Sequence, residues 1–209
     1  MILARIQAHP ARAHLHQPLA ESLGLPYEIH LHSSDPPDPW AGYRACLTEI
    51  PDGCKHLLVI QDDAVVCRNF AGAVDSISYS NPDTPVCLYI GGFPQGSASK
   101  FRRALVRKEP YIPLMRSPIM PLVAVLWPKA KAEEFLEWAL SSRRMTRADD
   151  GNAGKWRNDT GQEVRVAVPC LVDHPDMEPS VKGGRKASLG KDPLRRALHV
   201  AEDGLAYSW

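Results

Sequence analysis

Asp62 and Asp63 end an apolar run, "LLVI" (Leu57 to Ile60), whose four residues have the character of a strand buried on both faces. Two charges have no place inside a core, so the pair marks a strand end that opens on something. Hard carboxylate oxygens suit Mg²⁺ or Mn²⁺, and such an ion takes one or two protein carboxylates together with the oxygens of a substrate phosphate, which a nucleotide diphosphate supplies. The plainer alternative is that one acid caps the next helix or turns the chain. His174 stands in "LVDHPD" after another apolar stretch, flanked by Asp173 and Asp176. Cys170 is near it, but there is no second Cys/His pair to complete a tetrahedral zinc site. Asp149 and Asp150 open "DDGNAGKW", where either acid can cap a helix and either can accept a proton from a hydroxyl.

Alternating strands and helices must hold these groups. "ILARIQA" (Ile2 to Ala8) reads as a first strand, and "PARAHLHQPLAESLG" as a helix opened by Pro10 and closed by Gly24. "EIHLH" (Glu28 to His32) is a second strand, and "AGYRACLTEI" a helix with Tyr43, Leu47 and Ile50 on one side. After the acid pair come a helix in "NFAGAVDSIS" and a strand in "PVCLYI" (Pro85 to Ile90). Residues Gly91 to Pro110, rich in Gly, Ser and basic residues, are expected to form a long loop that closes over a ligand as a lid. "PLVAVLWP" is a strand, "KAKAEEFLEWALSSRR" an amphipathic helix, and "EVRVAVPCLVDH" (Glu163 to His174) a strand pair broken at Pro169. The expected class is α/β, a single mixed sheet flanked by helices, with ligands beyond the strands' carboxyl ends.

A chain of 209 residues, 44% of them hydrophobic, can bury one core and is too apolar for disorder. It shows no membrane span and no signal peptide, which points to the cytoplasm. Its five cysteines are scattered without a Cys-x-x-Cys pair, so reduced, buried thiols are expected. Residues 1–99 hold 5 Lys/Arg against 10 Asp/Glu, and residues 100–209 hold 20 against 14. The basic groups gather at Lys100–Lys108, at Arg143, Arg144 and Arg147, and from Lys182 to Arg196. They are either solvated surface or a face for a polyanion.

"QAHPAR" after the first strand, "GYRA", the central "LLVIQDDAVVCRNF" and "VPCLVDHPDMEPS" follow one another in an order that resembles GT-A type glycosyltransferases, in particular small bacterial and phage members. The likeness runs from about residue 2 to residue 180, with a basic, partly mobile tail over 181–209. It implies a Rossmann-related fold with a nucleotide-sugar half (1–99) and an acceptor half (100–180). The family's acidic metal motif falls on Gln61-Asp62-Asp63, with Gln61 replacing an acid, and a late histidine, His174, completes the site for Mn²⁺ or Mg²⁺. The resemblance implies a UDP-sugar held by Ala8, His9, Pro10, Arg12, Asp35, Gly42, Arg44 and Asp62. Asp150, or else its neighbour Asp149, is the base. Trp156 and Trp127 are candidates to stack on a sugar or base, with core packing as the alternative.

For the acceptor, Arg102, Arg103, Arg143 and Arg144 would hold phosphates of DNA carrying 5-hydroxymethylcytosine; a cell-envelope saccharide or lipid is the alternative. A nucleotidyltransferase using the same acids, or a non-catalytic nucleic-acid-binding domain, are the readings from other classes. The pairs His14/His16 and His30/His32 read as incidental.

Overall fold

The computed structural model describes residues 1–34, 38–91, 95–143, 145–175 and 196–209. β1 (Ile2–Ala8) alternates its faces, with Ile2, Ala4, Ile6 and Ala8 entering one core and Leu3 the other. A 3-10 turn (Pro10–Arg12) leads into α1 (Ala13–Leu23), which stops where Gly24 takes the left-handed conformation at φ 63°. β2 (Tyr27–Leu31) follows, then α2 (Pro39–Leu47), whose first turn is capped by the Asp38 carboxylate accepting from Ala41 N at 3.0 Å. β3 (His56–Gln61) is the central strand, succeeded by the short β4 (Val65–Val66), α3 (Phe70–Ser80) and β5 (Val86–Cys87). The second half supplies α4 (Gln95–Arg107), β6 (Tyr111–Pro113), β7 (Ala124–Pro128), α5 (Lys129–Ser141), α6 (Asp149–Thr160), β8 (Arg165–Ala167) and β9 (Val172–Asp173).

Seven strands form one mixed sheet in the order β2-β1-β3-β7-β5-β8-β6, while β4 pairs with β9 in a separate ribbon. β1 runs parallel to both β2 and β3, whereas β7 is antiparallel to β3 and β5. Successive side chains of β3 serve different layers: Leu57 and Val59 join α2, α4, α5 and α6, while Leu58 and Ile60 join α1 and α3. Helices thus cover both faces, and the expected α/β architecture is present.

Two expectations change. Residues 95–107 form α4 and not a loop, because Ser97, Phe101 and Ala104 recur at helical spacing and are all buried. The strand expected over Pro85 to Ile90 shortens to two residues. Residues 196–209, the end of the stretch assigned to the tail, pack on the rest of the chain: Ala201 N donates to Cys170 O at 2.8 Å, and Gly204 N donates to Arg68 O at 2.9 Å. All five cysteines are buried free thiols, and burial pushes Cys46, Cys87 and Cys170 up to about 12. Among the described residues no helix is long and apolar enough to cross a membrane.

Candidate active site

The parallel strands β1 and β3 finish side by side, with Gln7 opposite Gln61, and Asp62 N donates to Gln7 O at 3.1 Å. Continuing the alternation of β3, Asp62 turns to the α1 face, where its side chain is fully enclosed. His9 N donates to Asp62 Oδ2 at 2.7 Å, and His16 Nε2 lies 3.2 Å from the same oxygen. Arg12 ion-pairs with Asp62 Oδ1, an oxygen that no well-angled hydrogen bond from the described residues satisfies, and donates to Asp63 Oδ2 at 2.7 Å.

Asp63 meets His174 because the ribbon brings them together. β4 follows the acid pair directly and is paired antiparallel with β9, Val65 opposite Asp173, so the residue after β9 returns to the acids. His174 Nε2 is 3.1 Å from Asp63 Oδ2, both side chains are buried, and Tyr89 packs edge-on against the imidazole with centroids 5.9 Å apart. His174 thus contacts Asp63, and Asp63 shares the Arg12 guanidinium with Asp62. The chemistry of these donors, two carboxylates and imidazole nitrogens, suits a divalent ion of the Mn²⁺ type. As arranged, the two carboxylates face the Arg12 guanidinium while His16 and His174 each lie against one of the carboxylates, and among the described residues no three His, Cys, Asp or Glu groups are set around one metal position. Asp62, Asp63 and Ala64 also border a cleft of about 270 Å³ against Leu15, Pro18 and Leu19 of α1.

On the opposite face of β1, Gln7 bridges to the second half. Its amide donates to Pro39 O at 2.9 Å and faces Asp149 Oδ2 at 3.4 Å. Asp149 is 7% exposed, and burial raises its pKa to about 6 despite the hydrogen bond from Asp150 N. Asp150 is half-buried and is also raised, again by burial. The N-terminus of α6 is fixed on its far side by Gly154, where a Cβ would stand 2.3 Å from Pro118 O, and by Met120 N donating to Asp150 O at 3.0 Å.

The remaining candidates divide. Ala8 is buried at the end of β1, while His9 and Pro10 begin the turn, His9 Nδ1 accepting from Ala11 N at 3.2 Å. Gly42 does allow a close approach, but of protein: a Cβ there would lie 3.3 Å from Gln7 Nε2 and 3.3 Å from His32 Cβ. Arg44 is exposed on the last turn of α2, the end whose carbonyls bind Arg5, away from the turn that meets Gln7, so it does not brace the acids. Trp156 is 1% exposed and packs on Trp127 and Phe135, with centroids 5.6 and 5.2 Å away. Both tryptophans are core and neither can stack on a ligand. Arg102 and Arg103 are exposed on α4, and Arg143 is exposed after α5. Asp35, Arg144 and the bases from Lys182 to Arg195 lie outside the described residues.

His16 and Gln7 were not anticipated as site residues. His16 stands one helical turn beyond Arg12, a spacing that puts both on one face of α1, and this was the available signal.

No protein-family model matches the chain, and no curated protein matches it. Solved structures do. A Drosophila β1,4-galactosyltransferase 7 mutant, in complex with manganese, UDP-Gal and xylobiose, aligns at 8% identity with a TM-score of 0.50, over 83% of this chain and 69% of that one. A197 from STIV aligns at 12% identity and 0.48, over 83% and 84%. The inositol-1-phosphate CTP transferase of T. maritima aligns at 8% identity and 0.40, over 78% and 65%. The galactosyltransferase likeness places this sheet among GT-A-like, Rossmann-related folds.

Proposed function

We propose that this chain transfers a sugar from a nucleotide-sugar, a UDP-sugar, to a hydroxyl acceptor. The observation that carries this reading is the meeting of Asp62, Asp63 and His174 with Arg12 at the carboxyl ends of β1 and β3, where ligands of such sheets bind. The galactosyltransferase with manganese and UDP-Gal supports it by likeness of fold. A divalent ion, Mn²⁺ or Mg²⁺, held by Asp62, Asp63 and His174 would supply Lewis-acid stabilisation of the departing diphosphate. The turn from Ala8 to Arg12 and the start of α1 orient the phosphates, with the Arg12 guanidinium as their charged partner.

Loss of the diphosphate leaves an electron-poor sugar carbon, and the acceptor hydroxyl must shed its proton as it bonds there. Asp150 is the base: it is half-buried at the start of α6, and its raised pKa makes it a stronger base than an exposed aspartate. Asp149 lies beneath it and ties that helix end to Gln7, so it positions the base.

For the acceptor, the exposed Arg102 and Arg103 on α4 favour a polyanion, and DNA bearing 5-hydroxymethylcytosine is our reading. The test is incubation with a panel of nucleotide-sugars, Mn²⁺ and either modified duplex or saccharide and lipid acceptors, followed by mass analysis. We expect a hexose on the modified nucleoside and a loss of at least about 100-fold in Asp150→Asn. Transfer only to saccharide or lipid would overturn the DNA acceptor, and no transfer in any arm would overturn the function.

A further inference from the structure

We propose that Arg12 is an internal counter-cation for Asp62 and Asp63 that must leave them before a divalent ion is held, and that the phosphates of the donor are what draw it away. The inference rests on the transferase reading above and names how that site is loaded. Arg12 makes an ion pair with each carboxylate, and the two side chains it joins are among the least exposed charges of the molecule, at 0% and 4%. A divalent ion placed between the same oxygens would face this guanidinium within a few ångströms, and like charges that close in a site sheltered from water repel strongly. Either the guanidinium or the ion faces the carboxylates unless an anion joins them.

The side chain is suited to exchange. Arg12 retains a buried Nε–H with no hydrogen-bond partner among the described residues, whereas a structural arginine such as Arg5 uses its Nε–H on Glu28 and the rest of its fork on the carbonyls of Cys46, Thr48 and Glu49. It also stands at the junction of the 3-10 turn and α1, where a side-chain rotation moves no strand. A diphosphate offers the planar fork two oxygens at once, and its charge neutralises both cations. Ion and diphosphate should therefore bind cooperatively, each tightening the other by the same factor.

The test is Mn²⁺ binding, read by the free-ion electron paramagnetic resonance signal and by calorimetry, to the wild-type chain, Arg12→Gln and Arg12→Lys, with and without UDP. In the wild type, saturating UDP should tighten Mn²⁺ by about tenfold or more. Arg12→Gln should bind Mn²⁺ alone at least about fivefold tighter than wild type and lose most of the UDP effect. Arg12→Lys should fall between the two, and it carries the comparison if Arg12→Gln does not fold. Tighter Mn²⁺ in Arg12→Gln with no UDP binding to any of the chains would uphold the counter-cation role and remove the transferase reading. Unchanged Mn²⁺ affinity in Arg12→Gln with full UDP coupling would overturn the counter-cation role and leave the transferase reading intact.

Discussion

Asp62 accepts from His9 N, lies against His16 and pairs with Arg12 while its side chain is wholly enclosed. Removing it leaves His9 N without its acceptor and takes from Arg12 one of its two carboxylates, Asp63 remaining, so Asp62→Ala should cost about 1–3 kcal/mol, measured by urea unfolding. Asp149 carries a different signature. Its folded pKa of about 6 stands above the ordinary 3.8, so between those values only the folded chain holds the proton. That proton contributes stability which is complete below the ordinary value and is lost as pH rises through about 6. Asp149→Asn cannot lose it. The variant should gain about 2–3 kcal/mol relative to wild type between about pH 4 and pH 7, and the difference between the two melting-temperature profiles isolates this from the altered contact with Gln7. A constant offset across that range would show that Asp149 is not raised. None of this was legible locally, because Gln7 and Asp149 are 142 residues apart and only the closed fold brings them together.

At the scale of elements, β1, α1 and β2 were readable because period-2 and helical patterns are bounded by Pro10 and Gly24. α4 was not, because Gly91 and Gly92 before it and Gly96, Ser97 and Ser99 within it suggested a loop and hid the spacing of Ser97, Phe101 and Ala104. Trp156 misled in the other direction: a tryptophan near two acids looked like a sugar platform, yet it completes the stack with Trp127 and Phe135. The element on which the proposed base depends is α6, and two of its glycines give opposite expectations. Gly154→Ala drives a Cβ to 2.3 Å from Pro118 O, backbone that cannot yield, so the helix must tilt. A loss of about 1–3 kcal/mol and a fall in transfer are expected. Gly151→Ala would meet only Ala148 Cβ at 3.7 Å and Thr146 Oγ1 at 4.0 Å, and should gain about 0.5–1 kcal/mol from helix propensity. Thermal melts of the two variants check this, and equal melting temperatures would contradict it.

Over the whole molecule, residues 1–99 carry 10 acids to 5 bases and residues 100–209 carry 20 bases to 14 acids, so under the proposed function the second half would be the one to meet a polyanionic acceptor. If the basic half holds DNA, affinity should fall with salt by about 0.9 in log–log slope for each phosphate neutralised. Arg102→Ala with Arg103→Ala should then flatten that slope by up to about 2 without changing UDP binding. A slope near zero in the wild type would remove DNA as a partner. The central claim is that the Asp62–Asp63 end of the sheet activates a nucleotide-sugar, and donor hydrolysis tests it without knowledge of the acceptor. Purified chain with Mn²⁺ should release UDP slowly from at least one member of a UDP-sugar panel, and Asp63→Asn should lower that release by at least about 100-fold while still folding. No nucleotide release from any donor, or release that Asp63→Asn leaves unchanged, would contradict it.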